Sequence, residues 1–343
     1  MADFLIILAL SIFGLVAHAA RNKAWLEWVV RSIIAVTALL DLILLTDATS
    51  PYIQEPWQKG IMTGACTLTG LILLQLFRKS LSVTLTLLDV NVSLRLPILC
   101  LFRKYSPLQV FELERIFVPA SLPHMAGAYI YITVLAYLLS AINLSEFKFP
   151  ALPIPLPVTL DQLFSYNGLG LVMLSFCGVG VFVTRSPREA MQRLAWLKPT
   201  VLQIGIGIAL IFMTFLYDAA WASFTHSNKD LASQLAMYNA GTFTAGGGFS
   251  ASIILALATA LCAGIGEETL IRGCLQPALG IFPAAFLHGI LHGQFAHAPI
   301  FIVQVALWST LMGVVRKYTN TTTTIIGHAG YNFVTTFLFA FNP

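Results

Sequence analysis

Ten apolar runs recur along the chain, at roughly 3–20, 28–47, 60–77, 118–142, 166–184, 199–219, 249–266, 281–297, 300–315 and 323–341. Each is long enough, or nearly so, to cross the ~30 Å of bilayer hydrocarbon as a helix. Repetition on this scale makes the bilayer the expected solvent. With 57% hydrophobic and only 10% charged residues, the chain departs from soluble globular domains, in which about a quarter of residues are charged. Its 343 residues read as an all-α polytopic membrane protein, one bundle of about 8–10 transmembrane helices.

Charge placement supports that reading and gives it an orientation. With the N-terminus outside, the inner side receives Arg21, Lys23, Arg31, Arg78, Lys79, Arg95, Arg103, Lys104, Arg115, Arg185, Arg188, Arg193, Lys198, Arg272, Arg316 and Lys317. Of the 19 basic residues only Lys59, Lys148 and Lys229 are left outside, as the positive-inside rule requires. Phe4 to Ala20 has the apolar character of a signal peptide. However, Asp3 stands where a basic flank belongs and Arg21 and Lys23 follow the run, so a retained first span is expected. The net charge of +4 is placed by topology, and no basic tract suggests nucleic acid. Cys66, Cys100, Cys177, Cys262 and Cys274 are scattered without a C-x-x-C pair, which argues against a disulfide framework or thiolate metal site.

The spans divide at residue 247. Residues 1–247 form an N-terminal transmembrane region of about six helices. Within it, Pro150, Pro153, Pro155 and Pro157 mark an extended outer linker at 144–165, because proline cannot continue a helix. The inner segment 78–117 alternates apolar and polar residues, as in Leu81, Val83, Leu85 and Leu87 against Ser82, Thr84 and Thr86. Period two suggests a strand or an interfacial hairpin. Residues 220–248 end in Gly246, Gly247 and Gly248, a hinge before the C-terminal core at 248–341. No internal repeat is visible, which counts against carriers built from duplicated halves.

That core carries the chemistry. Glu267, Glu268 and Arg272 stand at the inner end of an otherwise uncharged span, where a carboxylate costs a few kcal/mol and needs a reason. Glu268 and Arg272, four apart, share a helix face and can pair. Glu267, about 100° around the helix, is left free to point elsewhere. His288 and His292 on the next run, and His328 and Asn332 on the last, repeat the one-turn spacing. A carboxylate, imidazoles and a carboxamide suffice for a general base, a water and an oxyanion donor, or for a metal ion. Glu267 ends one span on the inner side and His328 begins another there. His292 is about 13 Å beyond Pro283 at 1.5 Å per residue, so the groups are expected to converge at modest depth.

E-E-x-x-x-R, then F-x-x-x-H, then H-x-x-x-N, in that order near the C-terminus, resembles the CAAX protease and bacteriocin-processing (Abi-type) intramembrane protease family. The first motif is matched by Glu267, Glu268 and Arg272 and the third by His328 and Asn332. The second departs from pattern: His288 stands in the aromatic position four before His292, while Phe286 lies two residues earlier. The resemblance implies peptide-bond hydrolysis with water held and deprotonated by Glu267 and His292, an oxyanion stabilised by His328 and Asn332, and a helix braced by Glu268 with Arg272. It implies an active site among the C-terminal helices, opening to the cytoplasmic side. Membrane lipid and a membrane-presented peptide, CAAX-like or bacteriocin-type, would be the partners.

A metal-free site is expected, since Gly289 follows His288 and no H-E-x-x-H is present. Zn2+ held by Glu267, His288, His292 and His328 is the alternative. Two other classes also accommodate these residues: an ion-coupled membrane carrier, and a non-catalytic immunity or scaffold protein that keeps the protease fold. Each group has a plain use besides, Glu267 as a snorkelling acid and His288 as an interhelical hydrogen-bonding residue. Arg31, Asp41 and Asp218 are charges within or at the ends of spans that can pair across helices or mark an aqueous path.

Overall fold

The computed structural model describes residues 2–34, 36, 168–225, 248–292 and 299–341. The runs at 60–77 and 118–142, most of that at 28–47, the segment 78–117, the proline linker, and Asp41 lie outside the described residues. Among the described residues every regular element is helical, with no strand. The helices are α1 (Ala2–Ala19), α2 (Gly170–Gly178), α3 (Pro187–Arg193), α4 (Val201–Thr225), α5 (Gly248–Glu268), α6 (Gln276–Leu279), α7 (Ile281–Leu291), α8 (Pro299–Tyr318) and α9 (Thr321–Phe341). A π-helix, Thr269–Leu275, joins α5 to α6.

An apolar chain in apolar surroundings must satisfy each backbone N–H and C=O within its own segment, which selects helix. Among the described residues two helical stretches, Val201–Phe224 and Gly248–Leu279, are long and apolar enough to cross a membrane. One face of α4 is apolar and open, with Leu202, Phe212 and Leu216 each about two-thirds or more exposed. The run at 166–184 does not fill its expected length. Helix α2 stops at Gly178, and Gly180, at φ 80°, turns the chain so that Thr184 and Arg185 donate back to its carbonyl. The helix α3 that follows starts on a capping box. Ser186 accepts from the Glu189 N–H and donates its own N–H, at 2.7 Å, and its hydroxyl, at 2.8 Å, to the Glu189 carboxylate, and these two donors hold that carboxyl below its usual range.

The central pair is α5 against α9, antiparallel. Ser252 donates to the Ala340 carbonyl at 3.0 Å near one end, and Phe249 packs edge-on against Phe337 and Phe341. Toward the other end a Cβ added at Gly264 would lie 2.7 Å from Ala329 Cβ and 2.9 Å from its backbone nitrogen, so only glycine admits this approach. Helix α4 lies parallel to α9, with Gly327 against Leu210 and Gly330 against Ile211. Helix α8 closes the group: Trp308 donates to Thr214 at 3.0 Å and Tyr217 to the Gln304 carbonyl at 2.8 Å.

Of the misplaced charges, the two among the described residues find partners. Asp218 accepts from Gln304 at 2.9 Å and from the Tyr331 hydroxyl, tying α4, α8 and α9 together. Arg31 pairs with Glu27 one turn before it at 2.6 Å. The segment after α3 works as a clasp. Arg193 donates to the Gly273 carbonyl at 3.1 Å, Trp196 to Thr269 at 3.0 Å, and Thr321 to the Leu194 carbonyl at 2.7 Å. One short stretch thus holds both the π-helix and the start of α9.

Gly264→Val forces the α5–α9 contact apart and costs about 1–3 kcal/mol, as overpacking does. The expected reading is a lower Tm in detergent. Gly205→Val, where an added Cβ meets nothing within 4 Å, leaves Tm nearly unchanged.

Candidate active site

Glu267 and Glu268 do not end the helical stretch they belong to. Through the π-helix and α6 the stretch continues to Leu279 and reverses at Gly280, whose φ of 95° suits only glycine. Glu267 therefore lies ~20 Å before the turn, and His292, just past the end of the antiparallel α7, ~18 Å after it, at 1.5 Å per residue. The hairpin brings both to one level, which resolves the long reach expected from the sequence.

Adjacent on the helix, the two acids face different partners. Glu268 is fully buried, pairs with Arg272 at 3.4 Å, and accepts from His328 Nδ1 at 3.0 Å. Arg272, equally buried, lies over the Trp308 ring, 5.8 Å from its centroid. Glu267 keeps 21% of its side chain accessible, its Oε2 2.9 Å from His288 Nε2 and 4.0 Å from His328 Nε2. The partly exposed acid is the one with access to a water. The ion pair anticipated for Glu268 and Arg272 forms, and it braces α5 against α9 as well as along one helix.

The partners fix where each imidazole carries its proton. A backbone carbonyl only accepts, so His292 Nδ1, 2.9 Å from the His288 carbonyl, carries the hydrogen and leaves a lone pair on Nε2. His328 Nδ1–H is held by the Glu268 carboxylate in the same way. His328 can then donate through Nε2 only when both nitrogens are protonated. Asn332, one turn further along the same face of α9, has amide N–H groups that are free of that condition. His288 is the reverse case. Its Nδ1 lies 3.4 Å from Arg272 Nη1, which has no lone pair to offer, and 3.1 Å from Ser309 Oγ. Nδ1 therefore accepts, and Nε2–H points at Glu267.

Glu267, His288 and His292 each offer a ligand atom within 4.8 Å of one another, spacing that a metal ion could use. In this arrangement His288 directs a proton rather than a lone pair into the cluster, and a guanidinium lies behind it. His288, Ser309 and Trp308 were not assigned to the site by motif. The only sequence signal for the last two is a Trp-Ser pair in an otherwise apolar run.

A partly accessible carboxylate beside an imidazole lone pair is equipment for general acid–base chemistry. Residues 249–334 match the family described as type II CAAX prenyl endopeptidase, Rce1-like. The match covers all three motifs, so the family resemblance they carry stands, and the family is one of CAAX-type proteases. No curated protein and no solved structure matches the chain.

Removing one member of the buried pair strands the other. Arg272→Ala is expected to destabilise the protein by about 3–5 kcal/mol, read as a fall in Tm. The double variant Glu268→Gln with Arg272→Met, which leaves no buried charge and keeps an acceptor for His328, recovers most of that loss.

Proposed function

We propose that this protein is a polytopic intramembrane endopeptidase, hydrolysing a peptide bond of a membrane-presented substrate that is CAAX-like or bacteriocin-type. One observation carries the reading: a single partly accessible carboxylate, Glu267, lies within 4.8 Å of the ligand atoms of His288 and His292 inside the segment that matches a CAAX endopeptidase family. In this reading, residues 248–341 are the protease core, and residues 1–247 are an N-terminal transmembrane region whose α4 and clasp support it. The N-terminus lies outside, and the site opens to the cytoplasmic side among about 8–10 spans.

A water bound here donates one hydrogen bond to the Glu267 carboxylate and one to His292 Nε2. As its oxygen attacks the scissile carbonyl carbon, its proton passes to Glu267. The tetrahedral oxyanion is stabilised by N–H groups of Asn332 and His328. Collapse breaks the C–N bond while Glu267 returns the proton to the leaving amine, so the carboxylate is regenerated. Glu268 and Arg272 stay out of the reaction and hold the helix that presents Glu267. The reaction as drawn uses no metal.

The test is purified protein in vesicles with a prenylated and unprenylated peptide library, with and without chelator. Glu267→Gln and His292→Ala are expected to abolish cleavage, and Asn332→Ala to lower kcat about 10²-fold or more. Chelator is expected to have no effect. Chelator-sensitive cleavage overturns the metal-free mechanism, and no cleavage by wild type favours a carrier or scaffold.

A further inference from the structure

We propose that His288 is a positioning residue that aims the Glu267 carboxylate, a role that the aromatic side chain expected at this position could not fill. The inference rests on Glu267 being the general base. His288 is 1% exposed and stands at the meeting of three elements. Its Nδ1 is 3.1 Å from Ser309 Oγ on α8 and 3.4 Å from Arg272 Nη1 on the π-helix; its Nε2 is 2.9 Å from Glu267 Oε2 on α5. Both Nδ1 neighbours can donate, and Arg272 can do nothing else. The ring is thereby locked as the Nε2–H tautomer, and its proton has one acceptor.

The consequence is directional. A glutamate side chain at a helix–π-helix junction has three rotatable bonds, and a carboxylate that must share a water with His292 has to be held in one rotamer. The His288 N–H engages one oxygen of Glu267, which orients the carboxylate so that its second oxygen can meet the water. Arg272 thereby serves both acids, pairing with Glu268 directly and orienting Glu267 through the imidazole. A ring that merely filled space here would touch the same neighbours, since His288 packs 5.8 Å from Trp308 and 5.1 Å from His292 between centroids. Phenylalanine can take over those ring contacts, but it cannot donate to Glu267.

Two substitutions separate these roles. His288→Phe keeps the aromatic volume and removes the donor, while His288→Gln removes the ring and places an amide N–H near the position of Nε2. On a peptide that wild type cleaves, His288→Phe is expected to lower kcat about 100-fold, the scale of a misplaced catalytic group, with KM little changed. His288→Gln is expected to recover most of that loss. If His288→Phe turns over like wild type, or if His288→Gln is as impaired as His288→Phe, the inference is overturned while the peptidase reading stands. A measurement independent of turnover covers the cases in which a variant fails to fold or wild type cleaves nothing. In 15N-histidine-labelled wild type, the His288 signal, assigned by its absence from whichever position-288 variant folds or by through-space contact to Trp308, should show a protonated Nε2 and a bare Nδ1. The opposite tautomer, which a metal bound at Nε2 would also produce, overturns the proposal.

Discussion

Glu268 and Arg272 sit at 0% and 1% exposure within a helical stretch whose only other charged residue is Glu267, and much of the bundle's arrangement follows from housing them. Two charges withdrawn from water cost several kcal/mol each unless their remaining hydrogen-bonding capacity is filled. Glu268 accepts from His328 on α9; Arg272 takes the Trp308 ring on α8 and the imidazole of His288 on α7. Each partner lies on a different helix, so satisfying one ion pair fixes the mutual position of the whole C-terminal group.

The backbone is shaped to allow it. Gly264 lets α9 approach within backbone contact, so that His328 reaches Glu268 four residues further on. The π-helix begins immediately after Glu268, and insertions of that kind recur at functional sites because they re-aim side chains over a turn. The turn at Gly280 folds α7 back alongside, and its length sets which histidines arrive level with the acids. The π-helix and the start of α9 are held from outside this group by the stretch Arg193–Trp196, which belongs to the N-terminal part of the chain. The C-terminal helices therefore do not define the site alone.

Several features were legible in sequence because they are local. Glu268 with Arg272, His288 with His292, and His328 with Asn332 are each one helical turn apart, and the 3.6-residue period places such residues on one face whatever the tertiary fold. The helix limits of α4, α5, α8 and α9 follow the apolar runs closely for the same reason. Other features depended on distant partners. Asp218 could be seen as out of place, but not that Gln304 and Tyr331 would receive it. The run at 166–184 gave no warning that α2 would end at Gly178, since that end is set by a turn around Gly180 packed on His18 of α1. His288 shows the limit most clearly. Its departure from the motif was visible, but its partners Arg272, Ser309 and Glu267 come from three other elements, 16 to 21 residues away.

Composition and helical period by themselves determined a helical chain and the pairs of polar groups at one-turn spacing, and the identity of the residues in those pairs carried the family resemblance. These depend on neighbours along the chain and on the energetic cost of charge in apolar surroundings. Only the tertiary structure decided which acid is sealed and which keeps access to water, where each imidazole carries its proton, and which nitrogen faces Glu267. Those properties are set by the donors and acceptors that packing brings across helices, and a one-dimensional pattern carries no record of them.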